Sequence, residues 1–228
     1  MRLLCVSDIH GKTANVAELL KYEESAEIDV IIVCGDITQL GGYEEAETIM
    51  RLFRGWEKPV FAVHGNMDTP PVLQYLVDER LSIHRKQSFY KNVRFEGLGG
   101  GNTSPFNTPI EYNEDEISHI LKSSFPQSEK KSPIVFVSHT PPGNTHLDTI
   151  KSGIHVGSIA IREFIVTHKP DLFLCGHIHE SMGIDTVGGC TAVNLGPFID
   201  GNYAIIDLDE TTGASVIHRK MLNQTLGR

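Results

Sequence analysis

Seven candidate ligands, two aspartates, one asparagine and four histidines, sit in five short polar segments of a 228-residue chain. The segments are Asp8-Ile9-His10, Gly35-Asp36, Gly65-Asn66-Met67-Asp68, Ser138-His139 and Gly176-His177-Ile178-His179. Asp8, His10, Asp36, Asn66, His139, His177 and His179 together offer carboxylate oxygen, amide oxygen and imidazole nitrogen. A mixed nitrogen and oxygen set without thiolate suits Mn, Fe, Zn or Co better than Ca. Asp36 has two carboxylate oxygens and can therefore bridge two cations. Two ions about 3.5–4 Å apart can clamp a phosphoryl group and activate a bridging hydroxide. The chemistry these residues suggest is metal-assisted hydrolysis at phosphorus.

Each segment directly follows an apolar run: Leu3–Val6, Val30–Cys34, Val60–Val63, Ile134–Val137 and Leu172–Cys175. Short apolar runs rich in β-branched residues and closed by turn signals read as buried strands. In an α/β sheet, ligands collect in the crevice beyond the strand carboxyl ends, so five strands would deliver the seven groups to one place. A single Asp-x-His or Gly-Asp carries little information; the ordered set at successive strand ends is specific. The competing reading makes them unrelated caps and satisfied core histidines.

Between the strands, Val16, Leu19 and Leu20 mark a helix from about residue 13, and Ala46, Ile49, Met50 and Phe53 mark a second. Thr69 as N-cap and Pro70 in the first turn open a third, with Leu73, Leu76 and Val77 as its buried face. This βαβαβα rhythm implies a parallel core with right-handed crossovers. Residues 82–98 then read as short strands with a hairpin turn at Lys91-Asn92. The glycine-rich Gly99–Asn102 lacks a following phosphate-loop lysine and reads as a simple turn rather than a site-edge loop. A helix from about 113 to 124 precedes the strand at Ile134. The 18-residue stretch His139–Val156 shows no regular pattern; loops of that length are commonly functional, and this one begins at a ligand candidate. Residues 157–168 are helical by pattern and stop before Pro170. The remainder, 181–220, alternates like antiparallel strands with a last turn at 209–213. With no repeat or linker, the sequence reads as one domain over residues 1–228.

Bulk properties narrow the class. The formal net charge of −9 opposes a surface for long nucleic acids, which needs clustered Lys and Arg. It leaves room for a small phosphate ester, because bound cations dominate the local field. No segment approaches the roughly 18 apolar residues of a membrane span, and no early stretch resembles a signal peptide. Cys5, Cys34 and Cys175 fall inside predicted strands and no CxxC pair exists, which suits reduced, buried thiols and a cytoplasmic location.

On these motifs the chain resembles the calcineurin-like metallophosphoesterase superfamily, from Asp8 to His179. The short form and the Thr140-Pro141-Pro142 loop look most like its small prokaryotic phosphoesterases. The resemblance implies an α/β fold: a four-layer α/β/β/α sandwich of two mixed β-sheets flanked by helices. It implies two divalent transition-metal ions, with Mn favoured. Asp8, His10, Asp36 and His179 would hold one; Asp36, Asn66, His139 and His177 would hold the other. One departure matters. The family often carries Gly-Asn-His-Asp/Glu, whose histidine assists the leaving group, and here Met67 stands in its place. Asp68, lacking that partner, would orient Asn66 instead.

His64 and His155 are the substitutes to weigh, although for each a structural or exposed role is the commoner fate. His155 lies just before a helix start at Gly157-Ser158, an anion site if its amides are free. Asp36, Asn66, His139 and His155 are the expected catalytic set. His84, His119, His168 and His218 read as surface or packing residues, and Trp56 as packing. The function so implied is a dinuclear-metal phosphohydrolase, first of all a phosphodiesterase, with hydroxide attacking phosphorus in line. The alternatives are a non-catalytic interaction module on the same fold and a phosphomonoesterase. Substrate and oligomeric state stay open, a homodimer included.

Overall fold

The computed structural model describes residues 1–126 and 129–222; residues 127, 128 and 223–228 of the expected 1–228 domain lie outside them. Strands β1 (Arg2–Val6), β2 (Val30–Cys34) and β3 (Val60–Val63) alternate with helices α1 (Thr13–Tyr22), α2 (Tyr43–Arg54) and α3 (Pro70–Asp78). A hairpin of β4 (Gln87–Tyr90) and β5 (Val93–Leu98) follows, then the short pair β6 (Gly101–Asn102) and β7 (Glu111–Tyr112). Helix α4 (Glu114–Ser124), β8 (Ile134–Ser138), α5 (Ile159–His168) and β9 (Leu172–Cys175) come next. Strands β10 (Gly183–Val187), β11 (Cys190–Asn194), β12 (Asn202–Leu208) and β13 (Ser215–Met221) complete the described chain.

Two mixed sheets result, ordered β13-β12-β1-β2-β3 and β10-β11-β9-β8-β5-β4. β1, β2 and β3 run parallel in the first, and β5, β8, β9 and β11 in the second. The alternation of side chains along each strand separates the layers. Leu4, Val6, Ile31 and Val33 pack against α1, α2 and α3, while Leu3, Cys5, Ile32 and Cys34 face Val135, Val137 and Leu174 of the other sheet. Phe136 and Phe173 cover α4 and α5 from the second sheet. Apolar residues are thus needed on both faces of every central strand, so the runs are continuous rather than alternating. The four-layer architecture implied by the sequence is the one observed.

The helices obey their local signals, with two corrections, both in α3. Asn113 caps α4 in a reciprocal box: its side chain accepts from the Glu116 amide at 3.0 Å, and Glu116 accepts from the Asn113 amide at 2.8 Å. Ser158 caps α5, and Lys169 ends it in the left-handed conformation before Pro170. In α3 the buried face is Val72, Tyr75 and Leu76, not Leu73, Leu76 and Val77. Both sets have i, i+3, i+4 spacing, and only the entry direction of the helix decides between them. Thr69 does not cap with its hydroxyl, which donates instead to the Gly41 carbonyl at 2.6 Å. Trp56 packs against the first core as expected.

The run 181–220 is split between the sheets. β10 and β11 extend the second sheet, with β11 parallel to β9, whereas β12 pairs antiparallel with β1 and β13 closes the first. Leu76→Ala should cost about 2–5 kcal/mol in urea denaturation, whereas Val77→Ala should stay within about 0.5 kcal/mol. Equal losses at the two positions would refute the observed orientation of α3.

Candidate metal centre

All five polar segments meet at the carboxyl ends of β1, β2, β3, β8 and β9. The backbone that turns them inward is unusual: Asp8, His10, Asp36 and His177 have φ of 56, 45, 49 and 68°. Left-handed backbone is uncommon outside glycine, and aspartate and histidine are among the residues that tolerate it best. Such strain costs of order 1–3 kcal/mol per residue, so the surroundings must enforce it. They do so by cross-bracing adjacent loops: Asp8, His10 and Gly11 amides donate to the Gly35, Asp36 and Ile37 carbonyls at 3.0, 2.9 and 3.0 Å. Glycines leave the room. A Cβ on Gly65 would lie 2.0 Å from Asp36 Oδ1, and one on Gly176 would lie 2.2 Å from Asp8 Oδ2.

Two groups of candidate ligands result, Asp8 with His10 and His179, and Asp8 with Asp36 and His139, each with ligand atoms within 4.8 Å of one another. His179 Nε2 lies 3.3 Å from Asp8 Oδ1, and His10 Nε2 lies 3.9 Å from Asp8 Oδ1 and 3.8 Å from Asp36 Oδ2. His139 Nε2 is 3.4 Å from the same Asp36 Oδ2. Asp36 Oδ1, however, accepts from the Met67 amide at 2.8 Å. A single Asp36 oxygen therefore faces both halves of the centre, rather than one oxygen facing each.

The fit to cations can be tested on His139. Its Nδ1 lies 2.8 Å from the Cys34 carbonyl, an acceptor, so Nδ1 carries the hydrogen. In the neutral ring, Nε2 then presents a lone pair to Asn66 Oδ1 at 2.9 Å and to Asp36 Oδ2. Three acceptors converge there, and only a proton or a cation can hold them together. The electrostatics agree. Burial by itself would raise the Asp8 carboxyl, yet contact with His179 and the charge of His139 hold it well below the usual carboxylate range. Burial opposes protonation of His139, but the Asp36 and Asp8 carboxylates push its pKa up to about 9. His177, its ring 4.9 Å from that of His139, is pushed down to about 4, first by burial and then by His139. Buried carboxylates that draw a proton onto His139 would bind divalent cations in its stead, so the donor set fits metal.

The model of the calcineurin-like phosphoesterase family matches residues 1–181, which contain all seven groups. The chain belongs to that family. It is a metal-dependent hydrolase of phosphate ester bonds. It is similar to the uncharacterized protein MJ1162 of Methanocaldococcus jannaschii, 39% identical over 222 residues, covering 93% of this chain and 98% of the relative. Among solved structures it resembles TT1561 of Thermus thermophilus, with TM-score 0.75, 20% identity and coverage of 95% and 97% of the two chains. It also resembles a dimetal phosphatase from Danio rerio, with TM-score 0.68, 14% identity and coverage of 97% and 96%. Residues beyond the matched segment form β10 to β13, which complete both sheets of the phosphoesterase.

Several roles differ from those the sequence suggested. Asp68 of the phosphoesterase does not touch Asn66. Fully buried, it accepts from the Gly65, Ile37 and Thr38 amides at 2.8, 3.1 and 2.8 Å and from the Thr38 hydroxyl at 3.0 Å. It ties the loop after β2 to the loop after β3. Burial, then Asp36, raises its pKa to about 6. Asn66 is oriented instead by Thr108, whose hydroxyl accepts from Asn66 Nδ2 at 3.0 Å, a contact that no spacing in the sequence announced. Gly99–Asn102 is a site-edge loop after all: Gly100 N donates to the His64 carbonyl at 2.8 Å, and a Cβ on Gly101 would lie 2.7 Å from that of Asn66.

The anion site at the start of α5 is already taken. Glu114 accepts from the Ala160 amide at 2.7 Å, and Asp148 from the Gly157 amide at 3.0 Å. His155 lies at the end of the irregular His139–Val156 stretch, its Nδ1 2.7 Å from buried Asp148, with its side chain 43% exposed. His64 is sealed, with both ring nitrogens buried and unpartnered among the described residues. Burial, then the charges of His84 and His139, pushes its pKa well down. His84 accepts from the Gly99 amide at 2.9 Å, and His168 lies 2.6 Å from buried Glu96. No helix of the described residues is long and apolar enough to cross a membrane. The four cysteines are free and buried.

Asp68→Ala would strand three buried amides, each worth roughly 1–3 kcal/mol when unpaired. Urea unfolding of the metal-free chain should show a loss of about 3–5 kcal/mol. A loss below about 1 kcal/mol would show that the loops do not depend on this carboxylate.

Proposed function

We propose that this chain is a dinuclear phosphodiesterase acting on a small phosphate ester. In this reading Asp8, His10, Asp36 and His179 hold one ion, and Asp36, Asn66, His139 and His177 hold the other. The observation that carries it is the meeting of His139 Nε2, Asn66 Oδ1 and Asp36 Oδ2 beside the Asp8, His10 and His179 group. Bound divalent ions, with Mn favoured, would supply Lewis acidity toward phosphoryl oxygens and toward an attacking water placed in line with the leaving group. Asp36 keeps Oδ2 turned to both halves while the Met67 amide holds Oδ1. The Cys34 carbonyl holds His139 in the tautomer whose Nε2 faces inward.

Preference for a diester rests on charge. Among the described residues, no ion pair joins a Lys or Arg side chain to any of the seven groups, and a diester, with a single negative charge, asks for fewer cations than a dianion. The intact ligand set argues against a purely structural module. Unpaired buried thiols suit a reducing cytoplasm.

At the leaving-group side Met67 can donate no proton. His64 is sealed, and the exposed His155, whose Nδ1 is held by Asp148, becomes the donor to examine only where the slopes below show one in place. Leaving groups that need little protonation should therefore be favoured. Metal-stripped protein titrated with Mn²⁺ should take up two ions per chain. Asp36→Asn should lose at least one of them and about 10²-fold or more in turnover. Wild-type stoichiometry and rate in Asp36→Asn would remove Asp36 from the shared position.

A second test follows rate against leaving-group pKa with substituted phenyl phosphodiesters. General acid help is worth about 10²–10⁴-fold. The wild-type slope should be steep and that of Met67→His shallower at equal metal content. Equal slopes would mean that a proton donor is already in place, and His155→Ala should then steepen both.

A further inference from the structure

Asn66 poses a problem that its identity alone does not solve. An amide has a carbonyl and an amino end of nearly equal shape, and only the carbonyl oxygen can bind a cation. The inner end of Asn66 faces His139 Nε2 at 2.9 Å, and a ring nitrogen donates or accepts according to whether it carries a hydrogen. That end therefore does not fix the amide's direction by itself. A group whose role is independent of the imidazole must stand at the outer end if the oxygen is to face inward whenever metal arrives.

The outer end faces Thr108 Oγ1 at 3.0 Å. A hydroxyl can donate or accept, so Thr108 by itself decides nothing. Its one hydrogen is committed, however. Thr108 Oγ1 lies 2.6 Å from Glu111 Oε1, and a carboxylate only accepts. Toward Asn66, Thr108 is left with a lone pair, which only the amino end of the amide can satisfy. Glu111 is kept anionic in turn. Burial would raise its pKa, but donation from the Thr108 and Ser104 hydroxyls at 2.6 and 2.7 Å, and from their amides at 3.0 and 3.2 Å, brings it down to about 2.

We propose that Thr108 and Glu111 are positioning residues that set the direction of the Asn66 amide, so that its oxygen faces the metal centre. Direction passes in one sense along the chain: carboxylate, hydroxyl donor, hydroxyl acceptor, amide donor, amide oxygen. The loop between β6 and β7 is thereby part of the metal site, although none of its side chains is a ligand. Its backbone is pinned independently. The Ile110 amide donates to the Asn66 carbonyl at 3.3 Å, and the Gly101 amide to the Ile110 carbonyl at 3.0 Å. Loss of the Thr108 hydroxyl should therefore release the amide without releasing the loop.

The inference rests on the dinuclear reading, in which Asn66 serves one ion and not the other. The test is Mn²⁺ titration of full-length, metal-stripped wild type, Thr108→Val, Thr108→Ser and Glu111→Ala, followed by calorimetry and by metal content after dialysis. Partners behind a ligand typically govern about 10–100-fold in metal affinity. Thr108→Val and Glu111→Ala should weaken one of the two ions by that factor and leave the other unchanged. Thr108→Ser, which keeps the hydroxyl, should bind both within a few-fold of wild type. A merely structural lesion would weaken both ions and would not be rescued by serine, which would overturn the proposal. Two ions at wild-type affinity in Thr108→Val would overturn it while sparing the dinuclear reading. Fewer than two ions in the wild type would overturn both.

Discussion

Two carboxylates, Asp8 and Asp36, are buried at the end of a sandwich core with ligand atoms close enough to share a cation. Charges taken out of water are costly unless paired, and here the local structure is arranged around that cost. The Asp8 carboxylate receives the His177 amide at 3.1 Å and the His179 ring at 3.3 Å, and Asp36 receives the Met67 amide. What remains uncompensated is aimed inward, where divalent cations would complete it.

The sandwich topology makes this concentration of charge attainable. β1, β2 and β3 belong to one sheet, β8 and β9 to the other, and their carboxyl ends finish together over the shared apolar layer of Val63, Val137 and Leu174. A strand end has spare backbone donors that a strand interior does not, so loops leaving it can brace one another. Asp68 uses this by collecting amides from two successive loops, and the left-handed residues use it by donating across from one loop to the next. Strain at Asp8, His10, Asp36 and His177 is the consequence of turning side chains inward within one or two residues of a buried strand.

Much of this was legible in the chain. Continuous apolar runs announced strands covered on both faces, and the polar residues after them announced the ligands. Where the sequence misled, the deciding contact lay far away along the chain. The face of α3 depended on how the loop after Asn66 enters the helix. Asp68 was matched to its neighbour Asn66 by proximity, but its partners are the amides of Ile37 and Thr38 across the site. The amides at the start of α5 looked open because their acceptor, Glu114, lies 46 positions earlier.

By itself, then, the sequence determined the order of the main strands and helices and the chemical types of the ligands, because hydrophobic period and residue chemistry are local properties; the four-layer arrangement was implied only through the family resemblance of the motifs. Tertiary structure alone decided that a single Asp36 oxygen faces both halves of the centre, that Asp68 locks two loops, and that Thr108 and Glu111 stand behind Asn66. Hydrogen bonds are short and directional, so their partners are chosen by where strand ends meet in space. Nothing in the spacing of Asn66 and Thr108 records that their side chains come within 3.0 Å.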